Sequence, residues 1–163
     1  DNNAKWRQGF YSAGGLRYID FMDIHVYLWH RRSEYGLSAD ASAEEAAGLF
    51  YKRLTMLDND IRNAGGRSIP IIVSEEGVPT DATRSEKAQA DYVRAIYQGG
   101  VGLPYLLGIY WYTLPQQKLD SRGKPAAKWG LLTEANEKKS GFYAFKEMAN
   151  SIQPPKEFIE KAE

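Results

Sequence analysis

The sequence predicts an α/β fold built of parallel βα units, and three observations carry that expectation. Runs rich in branched apolar and aromatic residues, at 18–27, 69–74 and 105–112, have the composition of strands. Amphipathic segments with their own start and stop signals lie between them. Regular alternation of the two implies parallel strands joined by helical crossovers.

The elements follow in order. Residues 6–13 suit a short helix, ended by Gly14-Gly15. The first strand covers 18–27, with aromatic and β-branched residues throughout. Ser42-Ala43-Glu44-Glu45 is a capping box, in which hydroxyl and carboxylate satisfy each other's free backbone donors. Behind it Leu49, Phe50, Leu54, Leu57 and Ile61 recur at helical spacing, and Gly65-Gly66 supplies a left-handed stop. The strand 69–74 is an unbroken apolar run, as expected of a strand buried on both faces of a parallel sheet. Thr83-Arg84-Ser85-Glu86 reads as a second capping box, opening a helix with Val93, Ile96 and Tyr97 on one side and an end at Gly99-Gly100. Residues 105–112 form a third buried strand. A polar loop runs through 114–128, and 141–152 is a last helix stopped by Pro154-Pro155. No internal repeat or linker interrupts this order, and the charged tail 153–163 is expected to be loosely held. Three strands alone would leave raw sheet edges.

Composition narrows the function. The 163 residues suffice for one domain with a core. Twenty-one basic residues balance 21 acidic ones, which argues against nucleic acid or a polybasic membrane attachment. No apolar run approaches a membrane span and no signal-peptide pattern opens the chain, whose polar start, Asp1-Asn2-Asn3, is that expected of an excised end. Absence of cysteine excludes disulfides and thiolate metal sites, and His25 and His30 are too few for a multi-histidine centre. Eleven Tyr and four Trp supply rings for a core and for stacking on a ligand.

The strand ends carry the chemistry. The first closes on His25-Val26-Tyr27, the second on Ser74-Glu75-Glu76-Gly77, the third on Tyr110-Trp111-Tyr112. Parallel strands aim all three ends the same way, where such folds build active sites. His25 and Tyr27, two apart, share a face. Taken singly, each of these residues is more often structural than functional; their joint placement is what suggests a site.

These strand ends resemble the last three βα units of the retaining glycoside hydrolases with a (β/α)8 barrel, the superfamily often called clan A. His25-Val26-Tyr27 matches the end of the family's sixth strand, Ser74-Glu75-Glu76-Gly77 its nucleophile strand, and Trp111 the Trp ending its eighth. Gly14-Gly15-Leu16-Arg17-Tyr18-Ile19-Asp20 fits the approach to the sixth strand. Lys128-Trp129-Gly130-Leu131-Leu132 and Lys139-Ser140-Gly141-Phe142-Tyr143-Ala144-Phe145 are similar to the closing segment and helix. The likeness covers roughly residues 6–148, so that 1–152 would be the C-terminal part of a TIM barrel.

The resemblance implies an O-glycosyl hydrolase acting on a polysaccharide or oligosaccharide, secreted or periplasmic, with no cofactor and no metal. Glu75 would be the nucleophile, Tyr27 would hydrogen-bond it, His25 would contact a sugar hydroxyl or the nucleophile's surroundings, and Trp111 would be the floor of the sugar site. Trp29 and Tyr112 would extend the cleft, and Glu76 would point elsewhere. The family's acid/base residue follows an Asn on a strand with no counterpart here. Asn136-Glu137 falls instead in a polar stretch expected to be solvated. A complete barrel takes about 250 residues, so the expected partner is the N-terminal barrel segment, alongside the carbohydrate substrate. A catalytically silent carbohydrate-binding or assembly protein derived from such a barrel is the competing expectation. A small doubly wound domain binding some other ligand is a weaker one, since no Gly-rich phosphate loop follows a strand.

Overall fold

A computed structural model describes residues 2–29, 33–65, 67–120, 122–124 and 126–152. The tail 153–163, with Pro154-Pro155, lies outside them, as do His30 and Gly66. The elements run α1 (Asn2–Ser12), a 3-10 turn (Gly15–Tyr18), β1 (Met22–Val26), α2 (Ala43–Gly65), β2 (Ile71–Glu76), α3 (Glu86–Gly100), β3 (Leu106–Trp111) and α4 (Ser140–Ser151). The strands make one parallel sheet in the order β1-β2-β3. The α/β fold of parallel βα units is therefore present. No helix among the described residues is long and apolar enough to cross a membrane.

Two compact units make up the chain: residues up to Val78 with Gly102–Tyr112, and Pro79–Val101 with the residues from Thr113 onward. The first holds the sheet. Gly14 ends α1 in the left-handed region at φ 75°, which glycine enters without a Cβ penalty. The strand expected over 18–27 is shorter at its start, because Gly15–Tyr18 coils into the 3-10 turn and Tyr18 is 85% exposed. Pairing begins where β2 supplies a partner: the Met22 amide donates to the Pro70 carbonyl at 2.8 Å. Arg67 pins the turn by donating to the carbonyls of Leu16 and Ile19 at 2.8 and 3.1 Å.

The first capping box forms as expected. The Ser42 amide donates to Glu45 Oε2 at 2.7 Å and the Glu45 amide to Ser42 Oγ at 3.1 Å. α2 then buries Ala46, Ala47, Phe50, Leu54, Leu57 and Ile61 at helical spacing. Asp58, on the same buried stripe, is satisfied by Arg62 Nε at 2.7 Å and Ser68 Oγ at 3.0 Å, which ties α2 to the approach to β2. Gly65 is the helix's last residue, and a side chain there would meet Leu16 Cδ1 at 2.9 Å.

β2 runs two residues later than expected, from Ile71 to Glu76, since Pro70 has no N–H to give the ladder. Ile69, Ile71 and Val73 are fully buried while Ile72 and Ser74 are half-buried, so one face is sealed and the other only partly. β3 is an edge strand, not the buried one expected: Leu107 and Tyr110 are 57% and 62% exposed.

The second unit is built on α3 and α4. Tyr97 and Phe145 meet edge-to-face at 5.2 Å, and Arg94 Nε reaches Glu147 Oε2 at 2.9 Å. Gly141 allows close packing, because a Cβ would lie 2.9 Å from Gln89 Oε1 and from Leu131 Cδ2. The cap of α3 is Ser85, whose hydroxyl accepts from the Ala88 amide at 3.2 Å. Thr83 is not the cap expected from the sequence: its hydroxyl and amide are both spent on Asp81 Oδ1. Lys139, buried, donates to the Gly130 carbonyl at 2.7 Å and to Thr80 Oγ1 at 3.2 Å.

Candidate active site

The C-terminal ends of the three strands lie in the first unit and in register. His25 is paired with Glu75, Val26 with Glu76, and Glu76 in turn with Trp111. The ladder is irregular at this end, between Ile24 and His25 on β1 and between Val73 and Glu76 on β2. A bulge of this kind re-aims side chains, and here it separates two adjacent carboxylates. Glu76 is fully buried, whereas the Glu75 side chain is 33% exposed and reaches β1.

Glu75 Oε2 accepts the Tyr27 hydroxyl. The same oxygen lies 3.3 Å from His25 Nδ1. Among the described residues Glu75 Oε1 makes no hydrogen bond, so one oxygen is held and the other is open. Burial is the main cause that raises the Tyr27 hydroxyl well above the ordinary tyrosine range, followed by its bond to Glu75 and the charge of that carboxylate. The shift favours the protonated hydroxyl, the form that donates to Glu75. A hydroxyl locked in its protonated form is a dependable donor to an ionised carboxylate.

Of the residues singled out from the sequence, the structure brings His25, Tyr27 and Glu75 together, and Trp111 stands at the last position of β3, half-buried. Tyr112 packs edge-to-face on Tyr27, with ring centroids 6.0 Å apart and planes at 89°. Trp29, expected to extend the cleft, is a core residue at 8% exposure. Asn136 and Glu137 lie exposed in a turn where Asn136 has φ 64° and the Glu137 amide donates to Thr133 Oγ1 at 3.1 Å. In the loop 114–128, Gln116 accepts from the Gly130 amide at 3.1 Å, and Asp120 accepts from the amides of Arg122 and Lys124. Those side chains are occupied in shaping the loop. Among the described residues no group of three or more His, Cys, Asp or Glu could hold a metal ion.

Sequence inspection missed the Tyr27–Tyr112 pairing. Its available signal was that each tyrosine stands one residue beyond its strand.

No family model matches the chain, and no curated protein matches it. Solved structures do. A GH5_18 protein of Bifidobacterium longum subsp. longum superposes with a TM-score of 0.63 at 18% identity, over 83% of this chain and 31% of that one. A β-glucuronidase of Bifidobacterium dentium, solved with coumarin-3-O-glucuronide, gives 0.62 at 20% identity, over 84% and 22%. A family 39 glycoside hydrolase from Bacteroides cellulosilyticus gives 0.62 at 17% identity, over 86% and 29%. The chain has the fold of a portion of a TIM barrel, shared with these structures. The chain spans less than a third of the length of each of these structures.

Proposed function

We propose that this chain carries the nucleophile half of a retaining β-glycosidase, with Glu75 attacking the anomeric carbon of a polysaccharide or oligosaccharide. The observation that supports it best is the arrangement of Glu75 at the end of a parallel strand: Tyr27 donates to one carboxylate oxygen, His25 Nδ1 lies 3.3 Å from the same oxygen, and the other is open. A nucleophile must be oriented, and the Tyr27 hydroxyl on one of its oxygens favours that. In this reading Trp111 forms the floor on which the sugar stacks.

A retaining mechanism also needs an acid about 5 Å from the nucleophile to protonate the leaving oxygen. Glu76 is buried and Glu137 lies in an exposed turn, so the acid comes from the N-terminal barrel strands, in the same polypeptide or a second one. Two features favour that partner. β1 and β3 are both edges, and β3 carries exposed Leu107 and Tyr110 with no Lys or Pro to discourage pairing. Polymeric substrates do not cross membranes, which suits a secreted or periplasmic setting.

The test is a mechanism-based 2-fluoroglycoside applied to the assembled barrel. Mass spectrometry is expected to find the label on Glu75, and Glu75→Gln is expected to abolish it. Clean labelling of another residue would reject the assignment. If Glu75→Gln bound the sugar as before and the parent protein neither turned over nor took the label, a binding protein derived from such a barrel would be the better description.

A further inference from the structure

The pairing of Tyr27 with Tyr112 crosses the sheet in an unusual way. Tyr27 follows β1 and Tyr112 follows β3, with β2 and Glu75 between them. Neighbouring strands lie about 4.8 Å apart, so the two backbones are separated by roughly 10 Å. Their ring centroids are nevertheless only 6.0 Å apart. The two rings must lean toward each other over the end of β2. They meet at 89°, the edge-to-face geometry that ring quadrupoles favour. Tyr112 is itself clamped, because its amide donates to the Glu76 carbonyl at 2.8 Å.

We propose that Tyr112 is a positioning residue for Glu75: it braces the Tyr27 ring across the intervening strand and so keeps the Tyr27 hydroxyl on Glu75 Oε2. The resemblance implies that Tyr112 extends the cleft; in this proposal it acts through another side chain. The role rests on the nucleophile assignment, but the brace itself can be read without catalysis. Removing the ring frees Tyr27 to rotate, whereas removing only the Tyr112 hydroxyl leaves the edge contact in place. Tyr112→Phe also controls for the direct effect of the second phenol's charge on Tyr27, one of the smaller causes of its raised pKa.

Two measurements test it. In this chain with tyrosine labelled at ring Cζ, NMR at about pH 11 lies above the ordinary tyrosine value of about 10. Tyr27 is expected to stay un-ionised in the parent and in Tyr112→Phe, and to ionise measurably in Tyr112→Ala. Tyr112→Leu fills the volume without a ring edge, and it takes the place of the Ala variant if that chain does not fold. Equal behaviour of the Phe variant and the ring-deleted variant would overturn the brace.

In the assembled barrel, the ring-deleted variant is expected to slow fluoroglycoside labelling of Glu75 by about 3–10-fold, the worth of one aromatic pair. Tyr112→Phe is expected to slow it less than the ring-deleted variant does. An unchanged labelling rate in the ring-deleted variant would overturn the positioning role even where the NMR responds. Absence of any label on Glu75 in the parent would fault the nucleophile assignment instead, leaving the brace to the NMR result.

Discussion

Glu75 bears both of its contacts, from Tyr27 and His25, on Oε2. A hydrogen bond to a charged group contributes about 1.5–3 kcal/mol. Tyr27→Phe is therefore expected to slow labelling of Glu75 by about 10–100-fold. The comparison of inactivation rates, variant against parent, checks it. A change under twofold would mean that the phenol does no more than fill space. His25 is more exposed, at 54% against 33% for Glu75, so its contact is more screened. His25→Gln is accordingly expected to cost less than Tyr27→Phe in the same assay. The residue types were legible in the sequence, because His-x-Tyr and Glu stood at the ends of strand-like runs. That the same oxygen would take both contacts was not, since it depends on the bulge that re-aims Glu75.

At the scale of the element, caps give the clearest contrast between local and tertiary information. Ser42 and Glu45 needed only each other, and the pairing formed as spacing alone suggests. At the second site Asp81 outcompeted the helix for Thr83, and the cap moved to Ser85. Ser85→Ala is expected to lower the unfolding free energy by about 1 kcal/mol in urea titration. A loss as large for Thr83→Ala would return the cap to Thr83. Strand ends behaved like the second cap: β1 could extend only where β2 offered a partner, which no run of β-formers encodes.

Lys139 was also hidden, because lysine is seldom buried. Burial holds its ammonium below the ordinary lysine range, with Glu86 opposing the shift and Lys128 reinforcing it. The sign follows from proton counts. Between the depressed folded value and the ordinary 10.5 the unfolded chain binds the proton more tightly, so stability rises with pH through that window. Below it both states are protonated and the full cost of burying the charge remains. In Lys139→Met that alkaline rise is expected to vanish from chemical-denaturation curves taken across the window. A rise of equal size in the variant would assign it to other groups.

For the molecule as a whole, the open sides of β1 and β3 set the behaviour. β3 has neither a charged residue nor proline, and such an edge recruits further strands, whereas β1 carries the exposed Asp23. The isolated chain is expected to self-associate in sedimentation velocity, and Leu107→Lys with Tyr110→Lys to keep it monomeric. Association undiminished in that double variant would move the contact elsewhere. Under the proposed function, joining it to N-terminal barrel strands is expected both to suppress association and to bring hydrolysis, whereas the chain alone is expected to hydrolyse no aryl glycoside at enzymatic rates. That the strands are parallel was readable from alternation alone. The exposure of β3 was not, because an apolar run looks the same whether its neighbour is present or missing.

The open Oε1 has one more consequence for the proposed chemistry. When it bonds to the sugar, the oxygen already held by Tyr27 becomes the carbonyl of the resulting ester. When water attacks the anomeric carbon the C1–O bond breaks and the carboxylate departs, and the phenol on its carbonyl oxygen stabilises the charge it takes up. One hydroxyl thus serves formation and breakdown alike, so Tyr27→Phe is expected to depress the pre-steady-state burst and the steady state in parallel.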